Sequence, residues 1–230
     1  MAVSPVQPIQ PPGEGARAAG ADASARAGGL DASVQVSGAN STGAARERIL
    51  AAAYDLFAHR GIQAVGIDAI VVQSGVARQT LYRHFSSKED LVLAFLERRE
   101  VLWTKDWLQG EVARRSSDPE QRLLGIFDVF GEWFRTPGFE GCSFINVMIE
   151  LTDPAGALHR AGVSYLAGIR LFLEDLAGRA GIAHAGSFAR KWHILMKGSI
   201  IAAAEGDQDA ACRAREMGAL VLSAEPRLQS

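Results

Sequence analysis

The stretch Ile67-Asp68-Ala69-Ile70-Val71-Val72-Gln73-Ser74-Gly75-Val76-Ala77-Arg78-Gln79-Thr80-Leu81-Tyr82-Arg83-His84-Phe85-Ser86-Ser87-Lys88-Glu89-Asp90-Leu91 decides the fold. It reads as a short helix, a tight turn, a second short helix and the capped start of a third. Ile70 and Val71 turn one side of the first helix inward, and Leu81 and then Phe85 do the same for the second. Gly75, within Ser74-Gly75-Val76, suits the turn because it has no Cβ to oppose a left-handed backbone. Ser86-Ser87-Lys88-Glu89 fits a capping box, with Ser86 accepting from the backbone of position 89 and Glu89 reaching back. The helix it opens is expected to carry Leu91, Phe95, Arg98 and Leu102 on one face.

Two helices locked by Ile70, Val76 and Leu81 across a glycine turn meet the requirements of a helix-turn-helix. In that motif the second helix enters the major groove of DNA while the first crosses the backbone. The non-core residues of the second helix are Arg78, Gln79, Thr80, Tyr82, Arg83 and His84. Arg pairs in bidentate fashion with guanine and Gln with adenine. Thr, Tyr and His suit phosphate oxygens. Lys88 falls in the first turn of the next helix, where its charge adds to the positive end of the dipole and favours a phosphate.

Upstream, Ile49, Ala53, Leu56 and Phe57 share a helical face, and Gly61 is placed to end that helix as a left-handed cap. Residues 1–43 differ in kind. Ala, Gly, Ser, Pro and Gln dominate them, no aromatic side chain occurs, and the segment is expected to be a disordered arm. Gly13-Glu14-Gly15-Ala16-Arg17-Ala18 resembles a dinucleotide fingerprint, but no strand precedes it, so no cofactor is expected. Downstream, Asp118-Pro119 starts a helix carrying Leu123, Phe127, Phe130 and Phe134. Further helices are expected over 143–151, from Asp153-Pro154 to about Gly178, over 187–204 and over 207–223. No stretch alternates with a period of two. The expected fold is all-α: an arm over 1–43, a three-helix DNA-binding domain over 44–92 and a larger helical effector-binding and dimerisation domain over 93–230.

Composition narrows the classes. The chain has 230 residues, 48% hydrophobic and 22% charged, with a net charge of −2, so any basic DNA footprint must be local. Cys142 and Cys212 are far apart and show no zinc spacing, which fits a reducing cytoplasm. There is no signal-peptide pattern and no apolar run of membrane-spanning length. G-x-S-x-G, H-E-x-x-H and P-loop motifs are absent, so neither an enzyme nor a metal site is expected.

Leu56-Phe57, Gly61, Ile70, Ser74-Gly75-Val76, Thr80-Leu81-Tyr82-Arg83-His84-Phe85 and Ser87-Lys88-Glu89-Asp90-Leu91 together resemble the DNA-binding domain of the TetR family, over about residues 45–92. The resemblance implies a homodimer with a helix-turn-helix head and a helical body that binds a small effector, most members being repressors that the effector releases. The chain departs from the family pattern at Val65, Gly66 and Ala77, where hydroxyl residues are usual. At Gly66, phosphate contact would fall to backbone N–H groups.

The body concentrates aromatic side chains as an apolar effector pocket would. Phe127, Phe130, Phe134, Phe144 and Tyr165 are the expected lining, with Asn146 to orient a polar group and Cys142, at a helix start, as a thiol that either packs or senses electrophiles. Small residues near the C-terminus, including Gly198, Ala203, Ala210, Ala211 and Ala214, suit close helix approach, and the resemblance implies that the last two helices form the dimer interface. A helical small-molecule-binding or scaffold protein without DNA activity is the other reading.

Overall fold

The computed structural model describes residues 37–228. Most of the expected arm lies outside this range. Its last residues do not: helix α1 spans Ser37–Arg60, so the first helix begins several residues before Ala44. Its inner face buries Ile49, Ala53, Leu56 and Phe57 as the spacing requires. It ends at Gly61, whose φ of 77° lets its N–H reach the Phe57 carbonyl at 3.1 Å.

Helices α2 (Ile67–Ser74) and α3 (Arg78–His84) follow. Gly75, at φ 64°, donates its N–H to Val71 and closes α2. The next helix is a long rod, α4, built from an α-helical part Lys88–Arg99, a π-helical part Glu100–Gln109 and an α-helical end Gly110–Arg115. The capping box sits one residue later than expected. Ser87, not Ser86, is the N-cap, and it accepts the Asp90 N–H at 3.0 Å. Ser86 instead donates its hydroxyl to the Asp90 carboxylate. The inward stripe of the rod is Leu91, Val92, Phe95, Leu96, Arg99 and Trp103. Arg99 is buried and Arg98 lies outside, bonded to Glu47, the reverse of the expected face.

The body adds α5 (Pro119–Phe134), α6 (Ser143–Glu150), α7 (Ala157–Arg179), α8 (Ala185–Ala204) and α9 (Ala210–Ala224). Asp118 caps α5 by accepting the Gln121 N–H at 2.8 Å, with Pro119 at the first helical position. Asp153-Pro154 does not start α7. Asp153 accepts the Ala155 N–H and, through its carbonyl, the Gly156 N–H, closing a turn ahead of the helix. Gly156 then becomes the N-cap. In the body α8 packs between α7 and α9, α9 lies against α5, and α6 bridges α7 and the rod. Among the described residues there is no strand, only an isolated bridge between Ile182 and Arg227. No described helix is long and apolar enough to cross a membrane.

Candidate nucleic-acid interface

The head is built around a dry centre. Ile49, Ala53, Phe57, Ile70, Leu81 and Phe85 are buried together and fix α3 against α1 and α2. At about 25 cal/mol per Å² of apolar surface removed from water, each of the isoleucine, leucine and phenylalanine side chains contributes roughly 1.5–3 kcal/mol, enough to hold a seven-residue helix too short to persist alone. Ala77 is the N-cap of α3 by its backbone only, its carbonyl accepting from Thr80 and Leu81 at 2.9 and 3.1 Å.

What remains outward on α3 is Arg78, Gln79, Tyr82 and Arg83, all exposed, while Thr80 and His84 are half-buried. Arg78 and Tyr82 lie one turn apart, as do Gln79 and Arg83, so the four form a single open surface. The Arg78 guanidinium bonds Asp68 of α2 at 2.6 Å and lies 5.9 Å from the centre of the Tyr82 ring. Arg83 reaches Thr80 Oγ1 at 3.5 Å. Gly66 is the N-cap of α2, exposed, with no side-chain cap and open space where a Cβ would stand. The first N–H groups of α2 are thus free of side-chain partners at that end. Lys88 opens the first turn of α4. It is half-buried, and its ammonium donates to the Ile62 carbonyl at 2.6 Å, tying the start of α4 to the turn after α1.

That turn is fastened to the body as well. The Glu150 carboxylate, at the end of α6, accepts the N–H groups of Ile62, at 3.0 Å, and of Gln63, while Gln63 Nε2 donates to the Glu150 carbonyl at 2.7 Å. A cleft of about 340 Å³ opens beside it, lined by Gln63, Glu89, Leu151, Asp153 and His159 among others.

The aromatic residues expected to line an effector pocket pack against several different neighbours. Phe127 packs on Trp192 at 5.3 Å. Phe130 and Phe134 belong to an aromatic layer with Trp103, Trp107, Trp133 and Phe139 between the rod and α5. Phe144 stacks on Tyr165 at 5.0 Å between α6 and α7. Asn146 faces outward and donates to the Glu140 carbonyl at 3.2 Å, because α6 turns Phe144, Ile145 and Val147 inward and leaves position 146 to solvent. Cys142 is the N-cap of α6 and is buried; burial pushes its thiol pKa up, against the smaller opposing pull of the Ile145 and Phe144 N–H groups. In the π-helical stretch, burial raises the Glu100 carboxyl, with Thr104 and Lys105 partly offsetting it.

A glycine-turned pair of short helices with an open, donor-rich second helix defines this chain as a helix-turn-helix DNA-binding protein. Residues 49–95 match the family model for bacterial regulatory proteins of the tetR family. Over this head the chain is similar to the TetR family of transcriptional regulators. It is 37% identical over 87 residues to the HTH-type transcriptional activator FasR of Mycolicibacterium smegmatis, a match covering 37% of this chain and 38% of that one. It is 34% identical over 85 residues to the HTH-type transcriptional repressor KstR2 of the same organism, covering 36% and 39%. The chain therefore matches well under half the length of these curated relatives. A TetR-family regulator from Streptomyces coelicolor superposes over 79% of this chain and 95% of its own with a TM-score of 0.71 at 29% identity. A second, from Streptomyces avermitilis, covers 80% and 99% with a TM-score of 0.72 at 27% identity. These relatives are regulators of transcription and not enzymes.

Proposed function

We propose that this chain is a dimeric repressor that occupies a DNA operator and is released when a small, largely apolar effector binds its body in the cytoplasm. The observation that carries the reading is the surface formed by Arg78, Gln79, Tyr82 and Arg83: four polar side chains on a helix held by its opposite face, with no packing role of their own. Arg78, Gln79 and Arg83 are donors of the kind that read base edges, and Tyr82, Thr80 and His84 stand where phosphate oxygens would pass. Gly66 offers backbone N–H groups to a phosphate, and Lys88, bonded to the turn after α1, holds a phosphate from the first turn of α4.

The dimer is proposed to form through α8 and α9. Ile194, Gly198 and Ile201 lie along one exposed face of α8, and Met217 and Leu220 along that of α9. The small residues play another part. Ala210, Ala211 and Ala214 are buried, and Ala211 packs against Gly131 of α5, so they serve packing within the subunit. A two-fold dimer of this kind binds half-sites about one helical turn, or a multiple of it, apart. The effector is proposed to enter the aromatic layer formed by Phe130, Phe134 and their tryptophan neighbours, with Phe127, Phe144 and Tyr165 as its continuation. For release it must bind the DNA-free state more tightly than the DNA-bound state.

Footprinting of the full chain on the promoter beside its own gene, with and without candidate metabolites, tests this reading. A near-palindromic protected site, transcription that falls when the protein is added, and protection lost with one metabolite are the expected results. Transcription that rises on binding would make the chain an activator. No protected site at any concentration that saturates non-specific DNA would favour a helical binding protein without DNA activity.

A further inference from the structure

Asp68 is an acid on a surface that must meet phosphate. It lies in the first turn of α2, and its side chain is 80% exposed. A carboxylate there repels the DNA backbone, although it suits the positive end of the α2 dipole. Its one partner in the head is Arg78 at 2.6 Å, through a single guanidinium nitrogen, Nη1. The Tyr82 ring flanks the same guanidinium. An unrestrained arginine at the first position of a recognition helix has two uses for its fork: the nearest phosphate, which carries no sequence information, or the O6 and N7 edge of a guanine. The exposed pair adds little to stability, so its effect must be sought in what it does to Arg78.

We propose that Asp68 is a positioning residue that makes Arg78 read a base in preference to gripping the backbone. Asp68 takes one edge of the guanidinium and leaves the remaining N–H donors directed outward. Its charge also penalises the approach of a phosphate to the same spot. Specificity is gained at the expense of raw affinity, as expected when a contact is built to oppose the wrong partner. The inference rests on the DNA-binding reading above and deepens it at one position.

The test uses the full chain. Wild-type protein first selects duplexes from a random pool. Binding of wild type, Asp68→Asn, Arg78→Ala and the double variant is then measured on the selected duplex, on single-base variants of it and on a scrambled duplex at fixed salt. Asp68→Asn should tighten binding to the scrambled duplex and lower discrimination at one base pair by roughly three- to tenfold. In the Arg78→Ala background the same change should leave discrimination untouched. If Asp68→Asn shifts all duplexes by one common factor, Asp68 acts only as a background charge and the proposal is overturned. If its effect on discrimination persists without Arg78, the pair is not the agent and the proposal is likewise overturned. A wild type that selects no sequence overturns the regulator reading itself, an outcome distinct from both.

Discussion

Arg99 of the rod and Glu140 of the loop before α6 form an ion pair inside the protein, with an N–O distance of 3.1 Å and side chains only 3% and 9% exposed. Arg99 Nη1 also donates to the Tyr54 hydroxyl of α1 at 2.8 Å, and its guanidinium lies 5.4 Å from the Trp103 ring. One side chain thus joins the head, the rod and the loop that leads into α6. The end of α6 returns to the head through Glu150 and the turn at Ile62 and Gln63. The loop into α6 and the end of α6 are therefore both bonded to the rod or the head.

Breaking the buried pair leaves one charge without its partner. Glu140→Gln is expected to destabilise the protein by about 3–5 kcal/mol. Tyr54→Phe removes only a hydrogen bond to a charged group, so the expected loss is about 1.5–3 kcal/mol. Urea unfolding of the three proteins checks the order; equal stability of Glu140→Gln and wild type would show that the pair contributes nothing.

His193 gives the protein an acid sensitivity of its own. It is buried, and burial, with Lys197 and Arg170 adding to it, lowers its pKa to about 3. The unfolded chain takes up its proton near pH 6.5, while the folded chain stays neutral until far lower. Unfolding then binds a proton throughout that interval, so stability rises with pH and is lost as pH falls from about 6.5 towards 3. The slope is about 1.4 kcal/mol per pH unit for this one group. Asp207 and Glu111, whose pKa values are lowered by Arg213 and Arg114, add their own loss only in the carboxylate range. Unfolding free energies between pH 7 and 5 should therefore flatten in His193→Gln. An unchanged slope in that variant would assign the sensitivity elsewhere.

The two thiols should behave differently. Cys212 is exposed, though the Glu216 carboxylate beside it raises its pKa, and Cys142 is buried with its thiol held protonated. A maleimide should modify one thiol in the native protein, at Cys212, and two in denaturant. Cys142→Ser should also leave release from DNA by peroxide or electrophiles unchanged. Rapid native labelling of Cys142 would reverse the assignment and make it a sensor.

Assembly through α8 and α9 predicts the effect of charge on their free face. Ile194→Glu with Leu220→Glu should give folded monomers by sedimentation, because both side chains are exposed in the subunit. Ala211→Glu, in contrast, should damage folding, since Ala211 is packed against α5. A stable dimer in the double variant would move the interface to another surface.

Much of the head was legible in the sequence because its signals are local. Gly61 and Gly75 mark left-handed turns, and the period of Ile49 through Phe57 and of Ile70 and Leu81 marks the buried faces. The capping box slipped by one residue because Ser86 and Ser87 are adjacent and each has an acid three residues on. Arg98 and Arg99 are equally plausible for an inner face by periodicity; only the distant Glu140 and Tyr54 decide for Arg99. The pair Asp68–Arg78 joins two different helices, so no local signal marks it. The body was less legible for a physical reason: aromatic residues at helical spacing look the same whether they line a cavity or fill one. Nothing in the spacing of Glu100–Gln109 marks it as a π-helix.

The central claim, that α3 presents a DNA-reading surface, is tested most directly by a titration of the full chain against a duplex spanning the promoter beside its own gene, in the presence of excess unrelated DNA. Wild type is compared with the triple variant Arg78→Ala, Gln79→Ala, Arg83→Ala, with helicity and melting measured alongside. The account predicts competitor-resistant binding by wild type, and a loss of about a hundredfold or more in a triple variant that remains fully folded, since good base contacts are each worth about 1–3 kcal/mol. Unaltered, sequence-selective binding by that folded variant would contradict it.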